Sequence, residues 1–352
     1  MGVPAAWRAI ASDEPLGPVE EPVPVLMKGF YEGTRALVRR AGRIRPLPAL
    51  GQTTGSARMV LGDAGRVVLF ERIGWHTDET LPWDRRRFSE GIYRARLSDL
   101  SVQRAPYDPP ANSLGPVIGL SCDGRHALIG RTWSIRHVPP RSMAASPSER
   151  QEHWELIQEM RRTTFTLVDF QAGTARELDT IPALAGGGLA DDLPVQFSPD
   201  GTLVAVFVLV NPPRGEMAWS QTRLYRVDTG DLVETLDKVT LVGSRSWSSD
   251  GMRLLVGDWR RSLILDLTTG EMTQIPGLPI PRADPPGYGK HRLLGFTDRD
   301  DLFTATQRGK AMTLWRTSLS GEPLQALARW SGSEVICPTL GPTPPGYWDQ
   351  DR

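Results

Sequence analysis

Histidine and carboxylate side chains are the groups in this sequence that could hold a metal ion or transfer a proton. His76 and Asp78 lie two positions apart, and Arg136 and His137 follow in a later segment. Imidazole and carboxylate groups bind zinc, but a zinc site requires three or four protein ligands or bound waters. One His-x-Asp pair is too small a set, so the sequence predicts no metal site and no cofactor.

The common catalytic motifs of enzymes do not occur in the sequence. It has no His-Glu-x-x-His zinc motif, no phosphate-binding loop and no Gly-x-Ser-x-Gly nucleophile turn. The segment from Gly119 to Gly124 resembles the last of these, but its spacing differs. The sequence therefore predicts no catalytic residue, and it favours a non-catalytic protein over an enzyme.

Tryptophan and arginine side chains recur in a few segments and form the candidate binding set. Trp and Arg are enriched at binding hot spots, and the planar guanidinium can stack on a ring or grip a carboxylate. A single Trp more often packs in a core. Taken as a group, these residues predict a surface that binds a protein or peptide partner. The candidate residues are Trp75, His76, Trp83, Arg87, Trp133, Arg136, His137, Trp219, Trp259 and Arg260.

The elements that must position these residues are marked by a recurring hairpin signature. Each copy is an apolar residue, two small residues and Asp-Gly, followed by a β-rich run. Gly accepts the positive φ of a tight hairpin turn without a Cβ penalty. The clear copies end at Gly124, Gly201 and Gly251; a weaker one ends at Gly65 and a degenerate one at Asp300.

A second hairpin follows the first in each unit, so that every unit holds four strands, a to d. The a–b turn is the Asp-Gly turn and the c–d turn is a later Gly turn. The c–d turns fall at Gly173, Gly230, Gly270 and Gly321, with Asp99 in the equivalent place of the first visible unit. Units of about 50 residues with four short strands each predict a β-propeller.

These units resemble the blades of the WD40/TolB-like β-propeller superfamily. The best match is WSSDG, LLVGDW and LILDLTTGE in residues 247–271, and the resemblance spans about residues 55–330. The Gly-His dipeptide of strict WD40 repeats does not occur, and Trp-Asp occurs only at 83–84 and 348–349, outside the predicted strands, so the TolB-like branch fits better. The resemblance implies an all-β propeller fold and implies little about function.

The resemblance and the spacing together predict six blades, with seven as the alternative. Five units are visible, and the chain ends supply the sixth, which closes the ring. Its strands b, c and d are predicted in 23–27, 34–40 and 43–47, and its strand a in 334–337. The predicted organisation is an irregular segment 1–20, one propeller domain 21–340 and a Pro-rich tail 341–352.

Extra sequence falls between strands b and c in the first three visible units. In the second unit the insertion spans 133–162, and a helix is predicted near 147–162. Ser146 to Glu149 forms a capping box with Pro147 at the first helical position. Because b–c connections emerge on one side of a propeller, the candidate binding residues are expected to share one face.

These patterns are compatible with three different functions. The first is a propeller scaffold that binds a protein or peptide through its b–c loops. The alternative is a small-ligand-binding or metal-dependent enzyme with His76, Asp78, Arg136 and His137 at the mouth of the central channel. The third is a structural subunit of an assembly that uses residues 320–352 and 1–50.

Charge and composition narrow the classes of partner. The formal net charge is zero, with 41 basic and 41 acidic residues, which argues against dedicated nucleic-acid binding. The sequence shows no secretory signal and no apolar run of about 20 residues that could cross a bilayer. Two cysteines do not make a disulfide framework. The expectation is a cytoplasmic bacterial protein without membrane contact, whose oligomeric state the sequence does not fix.

Overall fold

In the computed structural model, the described residues form mostly β-strands and the turns between them. The structure describes residues 25–29, 33–40, 43–46, 59–62, 67–75, 87–96, 101–108, 117–134, 146, 148–149, 152, 156, 160–185, 194–210, 219–243, 245–258, 261–276, 291–297, 299–308, 311–331 and 339–340.

Six antiparallel sheets follow one another along the chain, and we number them from the N-terminus. Sheet 1 begins with β1 (Val25–Gly29), β2 (Gly33–Arg40) and β3 (Arg43–Pro46). Sheet 2 holds β4 (Met59–Gly62), β5 (Val67–Trp75), β6 (Arg87–Arg96) and β7 (Val102–Arg104). Sheet 3 holds β8 (Val117–Leu120), β9 (His126–Ser134), β10 (Arg161–Asp169) and β11 (Thr174–Ile181).

The C-terminal half continues the pattern. Sheet 4 holds β12 (Ala183–Ala185), β13 (Val195–Phe197), β14 (Leu203–Val210), β15 (Trp219–Arg226) and β16 (Leu232–Asp237). Sheet 5 holds β17 (Thr240–Leu241), β18 (Arg253–Gly257), β19 (Ser262–Asp266) and β20 (Met272–Gln274). Sheet 6 holds β21 (His291–Phe296), β22 (Leu302–Arg308), β23 (Ala311–Thr317) and β24 (Pro323–Ser331), and the last strand is β25 (Thr339–Leu340).

The a–b turns have the conformation that the Asp-Gly signature predicts. Gly124, Gly201 and Gly251 have φ of 70°, 72° and 71°. In the last of these turns the Ser248 hydroxyl donates to Asp250 Oδ1 at 2.6 Å and accepts from the backbone N–H of Arg253 at 2.9 Å. Asp300 takes the same left-handed conformation without being glycine, at φ 61°. The degenerate copy is therefore a true member of the repeat.

The hydrophobic core lies between neighbouring sheets. Ile92 of sheet 2 and Ile129 of sheet 3 belong to one buried cluster, and Phe165 of sheet 3 and Val195 of sheet 4 belong to the next. Further clusters join sheet 4 to sheet 5 and sheet 5 to sheet 6. Sheets that pack face to face around successive cores are the construction of a propeller, and the predicted all-β class is confirmed.

Sheet 1 combines both ends of the chain. β25 pairs with β1, with Val25 opposite Leu340 and Leu26 opposite Thr339. The predicted N-terminal strands are confirmed within a few residues, whereas the C-terminal strand lies at 339–340. The predicted strand 334–337 falls outside the described residues, and closure of the six sheets into a ring stays a prediction.

The edge strand of sheet 4 that pairs with β14 is interrupted. β12 pairs with the last part of β14 and β13 pairs with its earlier part, so both segments occupy the same edge. Phe207 lies between the two pairings, and its N–H donates to the carbonyl of Pro194 at 2.7 Å. The repeat pattern predicts one continuous strand a for this unit, and the structure divides it into β12 and β13.

The predicted capping box is present within the long insertion in sheet 3, at the start of the predicted helix. The Ser146 N–H donates to Glu149 Oε2 at 2.6 Å, and the Glu149 N–H donates to Ser146 Oγ at 3.3 Å. β10 already begins at Arg161, so the predicted end of the helix near 162 overlaps a strand. The described residues with helical backbone here are Ser148, Glu149, Glu152, Leu156 and Met160.

No helix within the described ranges is both long and apolar enough to cross a membrane. The segments 1–20 and 341–352, predicted to be irregular, lie outside those ranges, and the predicted domain limits stay a prediction.

Candidate functional site: two faces of the propeller

The connections between strands b and c all leave the same end of their sheets. They span 76–86 in sheet 2, 135–160 in sheet 3, 211–218 in sheet 4 and 258–261 in sheet 5. The a–b and c–d turns lie at the other end, because successive strands are antiparallel. We call these two sides the b–c face and the turn face.

Three candidate tryptophans stand on strands that border the b–c face. Trp75 ends β5 and is directly opposite Arg87, the first residue of β6. Trp219 begins β15 opposite Val210 and is half-buried. The register of β5 and β6 therefore makes Trp75 and Arg87 neighbours at the edge of the predicted binding surface.

Trp133, the third tryptophan, is tied into its own sheet. Its indole N–H donates to Thr164 Oγ1 at 3.0 Å. Thr164 and Thr180 hydroxyls are 2.7 Å apart, and Thr180 donates to Glu177 Oε1 at 2.8 Å. This polar chain crosses β9, β10 and β11 and uses the only N–H of the indole, so Trp133 offers a partner its half-buried ring alone.

The remaining candidate residues lie outside the described residues. They flank elements that are described: Asp258 and Arg261 border the short turn in sheet 5, and Arg261 donates to Asp258 Oδ2 at 2.6 Å. The residues concerned are His76, Trp83, Arg136, His137, Trp259 and Arg260.

A buried ion pair lies between sheets 2 and 3, beneath the b–c face. Arg131 is 1% exposed and Glu71 is 3% exposed, and their Nη2 and Oε1 atoms are 2.7 Å apart. Arg131 also donates to Ser89 Oγ at 2.9 Å. Burial raises the pKa of Tyr107. The charge of Arg131 and its hydrogen bond to Tyr107 partly offset this rise. Sequence reasoning missed this cluster because its members are far apart in the chain.

A cleft opens on the turn face between sheets 3 and 4, and we call it the interblade cleft. Its volume is about 610 Å³. Two buried apolar residues, Leu167 and Val227, line it together with charged and polar residues. Its lining residues are Arg125, His126, Leu167, Asp169, Thr174, Arg176, Gly201, Thr202, Arg226, Val227 and Asp228.

The charges at the rim of the interblade cleft are held by specific bonds. Arg125 Nη2 is 2.8 Å from Asp169 Oδ2, and the N–H groups of Gln171 and Ala172 donate to the same carboxylate. These bonds, that of Arg125 foremost, hold the pKa of Asp169 far below its usual range. His126 Nε2 lies 3.5 Å from this carboxylate.

Arg176 ties the two sheets together at the cleft. Its guanidinium donates to the carbonyls of Val227, Asp228 and Thr229 at 2.7 to 2.9 Å. These carbonyls belong to the c–d turn of sheet 4, so Arg176 fixes that turn against β11. Sequence reasoning missed this cleft because Arg125 and Arg176 lie on one sheet and the turn that Arg176 binds lies on the next.

Metal-binding groups are not clustered in the part of the chain that the structure describes. Within it, no set of three or more His, Cys, Asp or Glu side chains could hold a metal ion. His76, Asp78 and His137, the proposed seeds of a metal site, lie outside it.

The fold resembles solved propeller structures at low sequence identity. TolB from Acinetobacter baumannii aligns over 90% of this chain and 64% of its own, with 13% identity and a TM-score of 0.45. An oligogalacturonate lyase in complex with manganese aligns over 84% and 70%, with 13% identity and a TM-score of 0.48. The β-propeller domain of the Trilobed protease from Pyrococcus furiosus aligns over 79% and 91%, with 10% identity and a TM-score of 0.38.

These likenesses concern the fold alone. The chain spans about two thirds of the TolB structure. No protein-family model matches the sequence, and no curated protein matches it. The expected resemblance to TolB-like propellers is confirmed at the level of fold.

Proposed function

We propose that this protein is a non-catalytic propeller scaffold that binds a protein or peptide partner through its b–c face. The observation that carries the proposal is the placement of Trp75, Trp133 and Trp219 at the same end of three consecutive sheets. Adjacent aromatic anchors with arginine beside them are typical of interface hot spots.

Buried and half-buried polar contacts join the strands beneath this face, which favours recognition without a large ordering cost. The buried pair of Arg131 and Glu71 joins sheets 2 and 3, and the polar chain from Trp133 to Glu177 joins three strands of sheet 3. Both devices fix the positions from which the b–c connections extend.

The test is a pull-down from the native host with quantitative mass spectrometry. The variants are Trp75→Ala, Trp83→Ala and Trp219→Ala, singly and combined. We expect the combined variant to lose the captured partner while its circular dichroism and melting curve stay those of a folded protein.

Two controls separate binding from folding. Trp133→Phe keeps a large ring and removes the bond to Thr164, so it should retain the partner at somewhat lower stability. Met252→Ala changes an exposed residue of the turn face and should have no effect. A partner that the combined variant still captures in full would contradict the proposal.

A second candidate function is a site for a small ligand or a metal-dependent reaction at the channel mouth. It depends on His76, Asp78, Arg136 and His137. Metal analysis of the purified protein separates the two functions: stoichiometric zinc, calcium or manganese that is lost in His76→Ala would favour this second one.

A further inference from the structure

Two residues other than glycine have a left-handed backbone in the described part of the chain, and the fold explains only one of them. Asp300 has φ of 61°, and its carboxylate accepts from the N–H of Ser249 at 2.9 Å and from Arg253 Nη2 at 2.7 Å. Lys238 has φ of 63°, and its ammonium group forms no hydrogen bond or ion pair with any described residue. Residues held in this disfavoured conformation concentrate at functional sites.

Lys238 lies on the b–c face, beside one of the candidate tryptophans. It follows β16, which runs from the c–d turn of sheet 4 to that face. The Lys238 N–H donates to the carbonyl of Ser220 at 2.7 Å, and Ser220 follows the half-buried Trp219 on β15. Lys238 is exposed, so its charge stands at the edge of the surface proposed for the partner.

The connection that carries Lys238 has a fixed backbone. It consists of Lys238 and Val239 alone, and the Thr222 hydroxyl donates to the carbonyl of Val239 at 3.1 Å. β17 then begins at Thr240, directly opposite Gly257, which precedes the b–c connection of sheet 5. The lysine side chain therefore starts from one defined point between sheets 4 and 5, which lowers the ordering cost of binding.

The adjacent carboxylate belongs to another side of the sheet. Asp237 stands opposite Gln221, and its Oδ1 accepts from Gln221 Nε2 at 2.8 Å. Gln221 and Tyr225 share the side of β15 that packs toward sheet 3, because they are four positions apart on one strand. The negative charge of Asp237 nonetheless disfavours a dianion close to Lys238, and one ammonium suits a single carboxylate.

We propose that Lys238 and Trp219 together recognise an acidic side chain, Glu or Asp, that stands beside a large apolar residue in the partner. The ammonium binds the carboxylate, and the indole ring contacts the apolar group. The inference rests on the function proposed for the b–c face and names the chemistry of its partner. Glycine at 238 would fit the backbone better but would carry no charge.

The experiment is a ligand-observed NMR titration of the full-length protein with two peptides at low ionic strength. They are acetyl-Ala-Leu-Glu-Leu-Ala-amide and acetyl-Ala-Leu-Gln-Leu-Ala-amide, which differ in one carboxylate. We expect the Glu peptide to bind about three- to fivefold more tightly than the Gln peptide, the effect of an exposed ion pair. This preference should vanish at about 1 M salt, where such a pair is screened.

Substitution of Lys238 by glycine separates binding from folding. Lys238→Gly should bind both peptides equally and should melt no lower than the wild type, because glycine adopts the left-handed conformation without strain. Lys238→Arg keeps the charge and should keep the preference for the Glu peptide. Arg226→Gln is the matched control and should also keep it, because Arg226 is an exposed arginine at the turn-face end of the same sheet.

Trp219→Ala distinguishes a failure of this inference from a failure of the proposed function. We expect it to weaken both peptides alike. If it does so while Lys238→Gly still prefers the Glu peptide, the b–c face binds peptides but the role of Lys238 is wrong. Equal binding of the two peptides by the wild type, unchanged affinity in Trp219→Ala, or no binding of either peptide up to about 10 mM would each overturn the inference. The pull-down would still decide the proposed function.

Discussion

Arg131 is the largest fully buried side chain among the described residues, and its charge is matched by one carboxylate. A buried ion pair adds little net stability, because desolvation offsets most of the attraction between the charges. Removing one member is different, since it leaves the other charge buried and alone. The consequence is a strong coupling between sheets 2 and 3.

We expect Glu71→Gln to lower the free energy of unfolding by about 3–5 kcal/mol, because Arg131 is left without its counter-charge. The double variant Arg131→Met, Glu71→Leu should recover most of that loss. Urea unfolding of the wild type, of Arg131→Met and Glu71→Leu singly, and of the double variant measures the coupling. Single variants within about 1 kcal/mol of the wild type would contradict the assignment.

Asp169 provides a prediction about pH. Its pKa is depressed in the folded protein, chiefly by the hydrogen bond from Arg125. A carboxyl of this kind stabilises the fold fully above its unfolded pKa of about 3.9 and loses that effect as the pH falls toward its folded pKa. We expect Asp169→Asn to be less stable than the wild type by about 1–3 kcal/mol at pH 7, with a gap that narrows below about pH 4.

Urea unfolding at a series of pH values between about 3 and 7 checks this expectation. Asp108→Asn is the control: Asp108 is 85% exposed and pairs only with an exposed arginine, so its removal should matter little at any pH. A gap for Asp169→Asn that stays constant over the whole range would contradict the role of the charge.

At the scale of the element, glycine serves two different purposes in this fold. Gly270 has φ of 74° in a c–d turn, and a Cβ placed there would meet open space. Gly243 has φ of 76°, but a Cβ there would lie 2.4 Å from the carbonyl oxygen of Leu294 in sheet 6. The backbone conformation is the same at both positions, so the difference between them is the contact between sheets.

We therefore expect Gly270→Ala to lower the free energy of unfolding by about 1 kcal/mol, because alanine is strained in the left-handed conformation. Gly243→Ala should lower the free energy of unfolding by about 3 kcal/mol or more, because its Cβ would also clash with a neighbouring backbone. The midpoints of urea unfolding compare the two. Equal losses would mean that sheets 5 and 6 do not approach each other as closely as the structure has them.

The hairpins could be predicted from the sequence because each depends on four or five adjacent residues. The Ser198 hydroxyl donates to Asp200, and Asp200 accepts from the backbone N–H of Thr202, so adjacent residues determine the turn. The interruption between β12 and β13 could not be predicted in this way. Both segments are three residues long, and what defines them is their register against β14.

The same distinction applies to the candidate sites. Runs of Trp and Arg are visible in a linear sequence, and the direction of the strands is enough to assign them to the b–c face. The interblade cleft joins Arg125 to Arg226 across two sheets. No local pattern of a single segment predicts which turns of different sheets will face each other.

At the scale of the whole molecule, the two faces are independent because the strands separate them. Trp219 and Arg226 stand at opposite ends of the eight-residue strand β15, the first at the b–c face and the second at the turn face. A substitution at the turn face is therefore expected to leave partner binding at the b–c face unchanged.

The pairing of β25 with β1 determines whether the two chain ends share one folded unit. β25 contributes only Thr339 and Leu340, but it occupies an edge of sheet 1 that would otherwise expose unpaired backbone groups. A chain that ends after Ser331, the last residue of β24, lacks this strand. A chain that ends after Leu340 keeps it and lacks only the Pro-rich tail.

We expect the chain 1–340 to have the same melting temperature as the full-length protein. The chain 1–331 should melt at least a few degrees lower, because each kcal/mol of lost stability shifts the midpoint by about 2–4 °C in a large domain. The shorter chain should also associate through its exposed edge. Thermal circular dichroism and light scattering of the three proteins measure both effects. Identical melting of 1–331 and 1–340, with both monomeric, would contradict the role of β25 and, with it, the predicted closure of the ring.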